Sequence, residues 1–217
     1  MKTAIVSKNA NKQLIEYLRS KGIEAIEFDS LEKVADPVKN HPDMLYCMLK
    51  DDVLFKGDPL KLSAEYPKDI IYNGCSTGKY FIHNLKYTDQ KLLSEVNRLG
   101  LRTVNVSQGY AKCSIVTVDE DSIITYDKGI AEACIRAGMD VLTVTQGFVR
   151  LEGYNTGFIG GASGKADNEI FFNGNLEAHP DFDRIAGFIK GKGLSLKYFK
   201  EYELNDIGTV IVTNCIK

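Results

Sequence analysis

The chain has 217 residues, of which 44% are hydrophobic and 26% charged, and its formal net charge is −2. The composition is typical of a globular protein with one sizeable core, and the balanced charge gives no basic surface for nucleic acid. The sequence contains no uncharged apolar run of about 18 residues, so we expect no transmembrane helix. Five cysteines without a CxxC pair argue against a disulfide framework and favour a reducing cytoplasm.

The N-terminal segment predicts a strand, a helix and a second strand. Residues 2–7 alternate in polarity, and residues 13–20 carry an apolar stripe of Leu14, Ile15 and Leu18 at helical spacing. Gly22 ends this helix, and residues 23–28 predict the next strand.

The rest of the chain predicts a series of hairpins, most of them followed by a helix and a strand. The hairpins pair residues 44–49 with 53–56, 69–73 with 79–83, 114–118 with 122–126, and 158–161 with 169–172. Helices begin near Asp89, Asp127 and Pro180, each with a typical N-terminal signal. The strands that follow these helices cover residues 101–106, 141–145 and 194–199, and residues 208–213 form the last strand.

A nine-residue phrase occurs twice. Residues 104–112 (VNVSQGYAK) are matched by residues 142–150 (LTVTQGFVR), with conservative substitutions throughout. This similarity indicates an internal repeat. Because Gln108 and Gln146 occupy the same position in both copies, we interpret them as structural residues that hold the loop between a strand and a hairpin.

The spacing of the hairpins predicts a ring. They begin near residues 43, 69, 113, 157 and 207, and the fifth lacks a second strand. The strand at residues 3–7 precedes a helix and a strand, as the second strand of each hairpin should. We therefore expect an α/β fold with a single domain over residues 1–217, in which five ββαβ units form an α/β-propeller closed by pairing of the terminal strands.

This arrangement resembles the pentein superfamily, which includes guanidino-group-modifying enzymes such as arginine deiminase and a ribosome anti-association factor. The phrases HPDM at 41–44, QGYAKCS at 108–114 and FIGG at 158–161 are also similar to those of a bacterial branch of this superfamily. In the superfamily, residues that start the first strand of each hairpin converge on a central funnel. The resemblance thus implies a funnel lined by Asp43, Asp69, Cys113, Ser114, Asn155, Thr156, Gly160, Gly161 and Asp206.

The resemblance also implies a chemistry. A cysteine of the last unit attacks the guanidinium carbon, carboxylates hold its N–H groups, and a histidine shuttles protons. In this chain the last strand is preceded by residues 205–208 (NDIG), without that cysteine, and Cys215 follows the strand.

Each candidate residue has an ordinary structural alternative. Cys113 is a possible nucleophile whose pKa Lys112 would lower, or else a small buried strand residue. His41 and Asp43 are a possible proton shuttle and cation clamp, or else part of a turn. The glycines at 160 and 161 lack the GxxxxGK[ST] form of a phosphate loop, so we expect them to allow close backbone approach.

Two functions follow. The first is a cysteine-dependent hydrolase or transferase for a small cationic (guanidino or amino) ligand, with Cys113, His41 and Asp43 as catalytic residues. The second is a non-catalytic protein that binds a ligand or a partner and has lost the nucleophile. We expect no cofactor, no nucleic-acid or membrane partner and, because the three histidines lack ligand spacing, no metal.

Overall fold

The structure is a computed structural model that describes residues 2–50 and 52–214. Met1, Asp51 and residues 215–217 lie outside the described residues, so the predictions for Cys215 and for part of the turn 50–52 are not addressed.

Short helices and strands alternate over the described residues. The α-helices are α1 (Lys12–Ser20), α2 (Gln90–Arg98), α3 (Ala111–Ser114), α4 (Lys128–Arg136) and α5 (Phe182–Gly191). The strands are β1 (Lys2–Val6), β2 (Ile23–Glu27), β3 (Tyr46–Met48), β4 (Leu54–Lys56), β5 (Cys75–Ser76), β6 (Tyr80–His83), β7 (Arg102–Asn105), β8 (Ile115–Thr117), β9 (Ser122–Thr125), β10 (Asp140–Thr143), β11 (Ser163–Ala166), β12 (Glu169–Phe172), β13 (Ser195–Lys197) and β14 (Ile211–Thr213). Single-turn 3₁₀ helices cover Asp36–Val38, Pro42–Met44, Pro59–Lys61 and Leu176–Ala178.

Side-chain caps and glycines set the helix boundaries. Asn11, Asp89 and Asp127 accept hydrogen bonds from backbone N–H groups in the first turns of α1, α2 and α4, at 2.9, 2.9 and 2.8 Å. Such caps stabilise a helix start by about 1 kcal/mol. Gly22 and Gly100 follow α1 and α2 with φ of +72° and +67°, the left-handed conformation that ends many helices.

The strands of the described chain form five small, separate sheets. Four have three strands, in the orders β14-β1-β2, β5-β6-β7, β8-β9-β10 and β11-β12-β13, and the fifth is the hairpin β3-β4. In each three-stranded sheet the middle strand has one antiparallel and one parallel neighbour. The parallel strands are joined through α1, α2, α4 or α5, since parallel pairing requires a crossover connection.

The core lies between each long helix and its sheet. Leu14 and Leu18 of α1 are fully buried in one apolar cluster with Ala4 and Val6 of β1. Burial of side chains of this size contributes about 1.5–3 kcal/mol each. None of the described helices combines the length and the hydropathy that crossing a membrane requires.

The predicted five-unit α/β-propeller is wrong. Within the described residues the sheets have two or three strands each, and they do not join into a closed barrel or propeller ring. Isolated bridges, such as Gly164 with Val210, connect neighbouring sheets instead of continuous ladders. The hairpin β3-β4 also lacks the helix and third strand of a full unit, because β4 is followed by the 3₁₀ helix Pro59–Lys61 and a long loop.

The terminal strands nevertheless pair. β1 and β14 are antiparallel, with Thr3 opposite Thr213 and Ile5 opposite Ile211. The two ends of the chain therefore share one sheet, and this pairing fixes the loop that precedes β14.

The two copies of the repeat start with equivalent strands, since β7 and β10 each run parallel to the middle strand of their sheet. They then diverge, because α3 begins within the end of the first copy, whereas the second copy ends in a loop. Gln108 holds its loop as predicted: its Nε2 donates to Asp127 Oδ2 at 3.2 Å, and its Oε1 accepts from Tyr110 N–H at 3.0 Å. Gln146 is exposed.

Candidate functional site

Cys113 lies in α3, a single helical turn that leads into β8. Its Sγ donates to Asp43 Oδ2 at 3.1 Å and accepts from Asn73 Nδ2 at 3.3 Å. Asn73 also orients the turn, because its Oδ1 accepts from the N–H groups of Lys112 and Cys113 at 3.0 and 3.3 Å. The thiol is therefore held with its proton directed at a carboxylate.

Asp43 lies in the 3₁₀ helix Pro42–Met44, which precedes β3. Besides the thiol, its Oδ2 accepts from Thr209 Oγ1 at 2.9 Å. Its backbone N–H donates to Gly208 O at 3.2 Å, and its carbonyl accepts from Asn73 Nδ2 at 3.1 Å. Asp43 Oδ1 is buried and has no hydrogen-bond partner among the described residues. A buried carboxylate oxygen of this kind favours a cationic donor.

His41 and Asp206 complete the cluster. His41 Nδ1 lies 3.8 Å from Asp206 Oδ1, beyond hydrogen-bond distance, and lacks a partner in the described part of the chain. Asp206 accepts from the N–H groups of Phe158 and Gly208 at 2.9 and 3.0 Å. Gly208 has φ of +73°, and a Cβ at this position would overlap His41, so the loop requires glycine here.

Burial controls the charge of this cluster, since the four side chains His41, Asp43, Cys113 and Asp206 are 2, 0, 1 and 3% exposed. Desolvation raises the pKa of Asp43 and raises the pKa of Asp206 to about 6. It lowers the pKa of His41, although nearby Asp43 opposes this. At neutral pH the imidazole is therefore uncharged.

The expectation that Lys112 lowers the pKa of Cys113 is wrong. Burial raises that pKa well above its ordinary value, and the charges of Asp43 and Asp206 raise it further. Lys112 Nζ instead donates to Ile115 O at 3.3 Å. The resting thiol is protonated, which is consistent with the hydrogen bond it donates to Asp43.

Three aromatic rings stack beside the cluster. Phe158 lies between Tyr110 and Tyr126, with ring centroids 5.9 and 5.8 Å apart and interplanar angles of 28° and 3°. The Tyr110 hydroxyl donates to Asp69, which is 5% exposed. Asp69 is thus tied to the site through Tyr110 and supports the stack.

The two predicted glycines connect the site to β14. Gly161 N–H donates to Cys113 O at 2.8 Å, and its carbonyl accepts from the N–H of Thr209 at 2.9 Å. Gly160 O lies 3.2 Å from Thr209 Oγ1 and is the more distant of the two acceptors for its single proton. A Cβ on Gly161 would overlap the Asp206 carboxylate, as expected for glycines that allow close approach.

Other predicted ligand-binding residues contact the protein itself. Ser114 is fully buried, and its carbonyl accepts from Thr125 Oγ1 at 2.9 Å. Thr156 Oγ1 donates to Val149 O at 3.1 Å, and Asn155 is exposed. These three side chains have no described contact with the Cys113 thiol.

Asn73 and Thr209 are the site residues that sequence reasoning missed. The sequence predicts a strand over residues 69–73 that includes Asn73, whereas β5 begins at Cys75. Both residues adjoin a glycine, Gly74 and Gly208, just before a strand. A polar residue beside a glycine at the start of a strand is the sequence signal that could have identified both residues.

The cluster also resembles a metal-ligand set. His41, Asp43 and Cys113 each offer one ligand atom, and these atoms lie within 4.8 Å of one another. Zinc binds such a set through a thiolate. Zinc binding to this set would require loss of the Cys113 proton, which in the present structure is directed at Asp43 Oδ2. The absence of a metal stays a prediction.

Comparison with known proteins identifies the family. The sequence profile of DUF6873, a family of unknown function, matches residues 5–58 and 57–211, and the chain belongs to this family. No curated protein matches the chain.

Proposed function

We propose that the protein is a cysteine-dependent enzyme that acts on a small cationic substrate with a planar amidinium or guanidinium group. The observation that carries this proposal is the Cys113 thiol hydrogen-bonded to Asp43, with His41 and Asp206 beside them in one buried cluster. These groups supply a nucleophile, a proton acceptor, a proton donor and a second carboxylate.

Cation binding follows from the charge of the cluster. Asp43 and Asp206 are both buried, and no described lysine or arginine forms an ion pair with either carboxylate. A planar cation between them would offer N–H donors to the unpartnered Asp43 Oδ1, and its charge would favour ionisation of both carboxylates. The same charge would lower the pKa of Cys113 only when substrate is present.

The chemical step assigns one role to each residue. Asp43 takes the thiol proton, and Cys113 Sγ forms a bond to the planar carbon. As the C–N bond breaks, the departing amine takes that proton from Asp43, which leaves a thiouronium on Cys113, or a thioimidate where the substrate is an amidinium. Uncharged His41 then takes a proton from water as the water oxygen bonds to the same carbon, and the hydroxyl proton of this adduct returns to Cys113 as the C–S bond breaks. A guanidinium plus water thus yields a urea-type product, and the proton on His41 leaves with the released amine as its ammonium.

Substrate access requires displacement of groups that surround the cluster. The four cluster side chains are at most 3% exposed, so no cation reaches them without displacement of neighbouring groups. Phe158 follows the exposed residues of the loop 152–155, and Tyr110 precedes α3. We propose that these two rings separate when substrate binds.

The test is a turnover assay with arginine, agmatine and benzamidine, in buffers that contain EDTA so that a metal ion does not occupy the thiol. The proposal expects release of ammonia, urea or an amine from at least one compound. Cys113→Ser should abolish release, whereas Cys134→Ser, which changes a buried cysteine in α4, should retain it. Turnover that survives in Cys113→Ser would refute the assigned nucleophile.

A second function is binding without chemistry, which the raised pKa of Cys113 favours. In that case the cations should raise the melting temperature of the wild type without product release. The described cysteines Cys47, Cys75, Cys113 and Cys134 are free thiols, and under either function we propose a reducing cytoplasm as the location.

A further inference from the structure

A separate cavity lies beyond Thr209, and each of the five sheets contributes to its wall. Its volume is about 410 Å³, and strand residues from β3, β5, β8, β11 and β14 line it. This volume lies within the range of small-molecule sites, about 300–1,000 Å³. The lining residues include Lys112 and Lys165 and the hydroxyl-bearing residues Ser76, Thr117, Ser163 and Thr209.

Lys112 and Lys165 bring positive charge to the cavity without a direct ion pair. Lys112 Nζ donates to Ile115 O at 3.3 Å, and Lys165 Nζ donates to Val118 O at 2.5 Å. Neither ammonium forms an ion pair with a carboxylate of the described residues. Each ammonium has three donors, so each retains capacity for another acceptor.

The acidic residues of the lining are engaged elsewhere. Asp167 pairs with Lys2, and Asp52 Oδ2 accepts from Asn214 Nδ2 at 2.5 Å. Asp167 is balanced by Lys2, whereas Asp52 keeps its charge because Asn214 is neutral. The lining therefore holds three lysines and two carboxylates, an excess of one positive charge.

We propose that this cavity binds a small multivalent oxyanion, held between the ammonium groups of Lys112 and Lys165. Phosphate and carboxylate groups share the required chemistry, because each presents several charged acceptor oxygens to lysine donors. The cavity accommodates a ligand larger than the anion alone, so a phosphate ester or a dicarboxylate would fit within the available volume.

The environment of the Lys165 ammonium supports an anion in this cavity. Burial lowers the pKa of Lys165, and nearby Asp119 and Glu120 only partly oppose the shift. An oxyanion in the cavity would stabilise the charged ammonium and recover part of that desolvation cost.

The site is distinct from the Cys113 cluster, although Thr209 contacts both. Its hydroxyl donates to Asp43 and it also lines the cavity. The oxyanion proposal does not rest on turnover at Cys113, so either proposal can fail alone.

The test measures the melting temperature in inorganic phosphate, in glycerol phosphate and in malonate, against KCl at the same ionic strength. We expect at least one multivalent anion to raise the melting temperature of the wild type above the KCl value. Lys165→Met should weaken the apparent affinity at least tenfold, and Lys165→Arg should largely retain it. Lys190→Met, at an exposed position of α5, is the matched control and should leave the affinity unchanged.

The wild-type comparison keeps the test decisive even if Lys165→Met fails to fold. Equal melting temperatures in KCl and in all three anions would overturn the proposal. An anion response that Lys165→Met leaves intact would also overturn it. Cys113→Ser should respond to the anions as the wild type does, which separates this outcome from failure of the proposed enzyme activity.

Discussion

Thr209 connects the loop before β14 to the buried carboxylate of Asp43 through a single hydroxyl. Its φ is +62°, an uncommon backbone conformation for a β-branched residue. Thr209→Val keeps the shape of the side chain but leaves the Asp43 oxygen and Gly160 O with one donor fewer. We expect a loss of about 1–3 kcal/mol in the free energy of unfolding, measured by urea denaturation.

Thr103→Val serves as the control for this change, because Thr103 is exposed in β7. It should alter the free energy of unfolding by less than about 0.5 kcal/mol. Equal effects of the two substitutions would show that the Thr209 hydroxyl does not stabilise Asp43.

Asp206 makes stability depend on pH in a direction opposite to that of an ion-paired carboxylate. Its pKa is about 6 in the folded protein, above an unfolded value of about 3.9, so the folded state holds the proton more tightly. Its contribution to stability is therefore complete below about pH 4 and is lost as the pH rises to about 6. This interval corresponds to roughly 3 kcal/mol at most.

Asp206→Asn should remove that loss. The free energy of unfolding should be measured by urea denaturation at pH 4, 5, 6 and 7 for both proteins. As the pH rises, the variant should become more stable relative to the wild type. Asp183→Asn, at an exposed position in α5, should track the wild type. A constant difference between wild type and Asp206→Asn would contradict a raised pKa.

At the scale of elements, the start of α4 and the first copy of the repeat are coupled. Asp127 caps α4 and also accepts from Gln108 Nε2, which in turn fixes the loop before α3. In a double-mutant cycle of Gln108→Ala and Asp127→Ala, we expect a coupling energy of about 0.5–1.5 kcal/mol. The same cycle with Gln146→Ala, at the exposed equivalent position, should give additive effects. Coupling in both cycles, or in neither, would show that the observed hydrogen bond is not responsible.

Local signals predicted most helices, but they misplaced several strand starts. Asp89, Asp127 and Gly100 act over one helical turn, so their positions in the sequence locate the boundaries of α2 and α4. β8, in contrast, begins one residue later than predicted, because Cys113 and Ser114 form a helical turn held by the distant Asn73. Such long-range hydrogen bonds leave no periodic pattern in sequence.

The same distinction explains how much of the site was predicted. The resemblance to the pentein superfamily implies Cys113, Asp43 and Asp206 as residues that start hairpins around a common funnel, and it implies His41 as the histidine beside them. The protonation states of these residues could not be predicted from sequence. The raised pKa of Cys113 depends on complete burial and on Asp206, which is 93 residues away in the chain. Asp69, which is predicted to bind the ligand, lies near the site, but its carboxylate accepts a hydrogen bond from the Tyr110 hydroxyl.

At the scale of the whole molecule, the predicted pairing of the chain ends is confirmed. The predicted ring, in contrast, does not form within the described residues. An unpaired strand at each terminus indicated that β1 and β14 would meet, as they do. Sequence spacing does not determine whether neighbouring sheets join, however, and here they remain separate within the described residues. The short segment between β4 and β5 leaves one sheet as a bare hairpin.

The terminal pairing is testable by cross-linking. Thr3 and Thr213 are directly opposite, so Thr3→Cys with Thr213→Cys in a Cys215→Ser background should form a disulfide under mild oxidation. Mass spectrometry of the non-reduced peptides would detect it. Thr3→Cys with Ile211→Cys is displaced by two residues and should cross-link poorly. Equal yields for both pairs would contradict the observed register.

The central claim, that the buried cluster directs a cation onto the Cys113 sulfur, is tested most directly by comparing two alkylating agents of nearly the same shape. Chloroacetamidine carries a planar cation and chloroacetamide is neutral, and peptide mass spectrometry gives the rate at which each modifies Cys113. We predict that the cationic reagent modifies Cys113 at least tenfold faster and that Asp206→Asn removes most of this preference. Equal rates for the two reagents in the wild type, or faster modification of Cys47, Cys75 or Cys134 by the cationic reagent, would contradict the account.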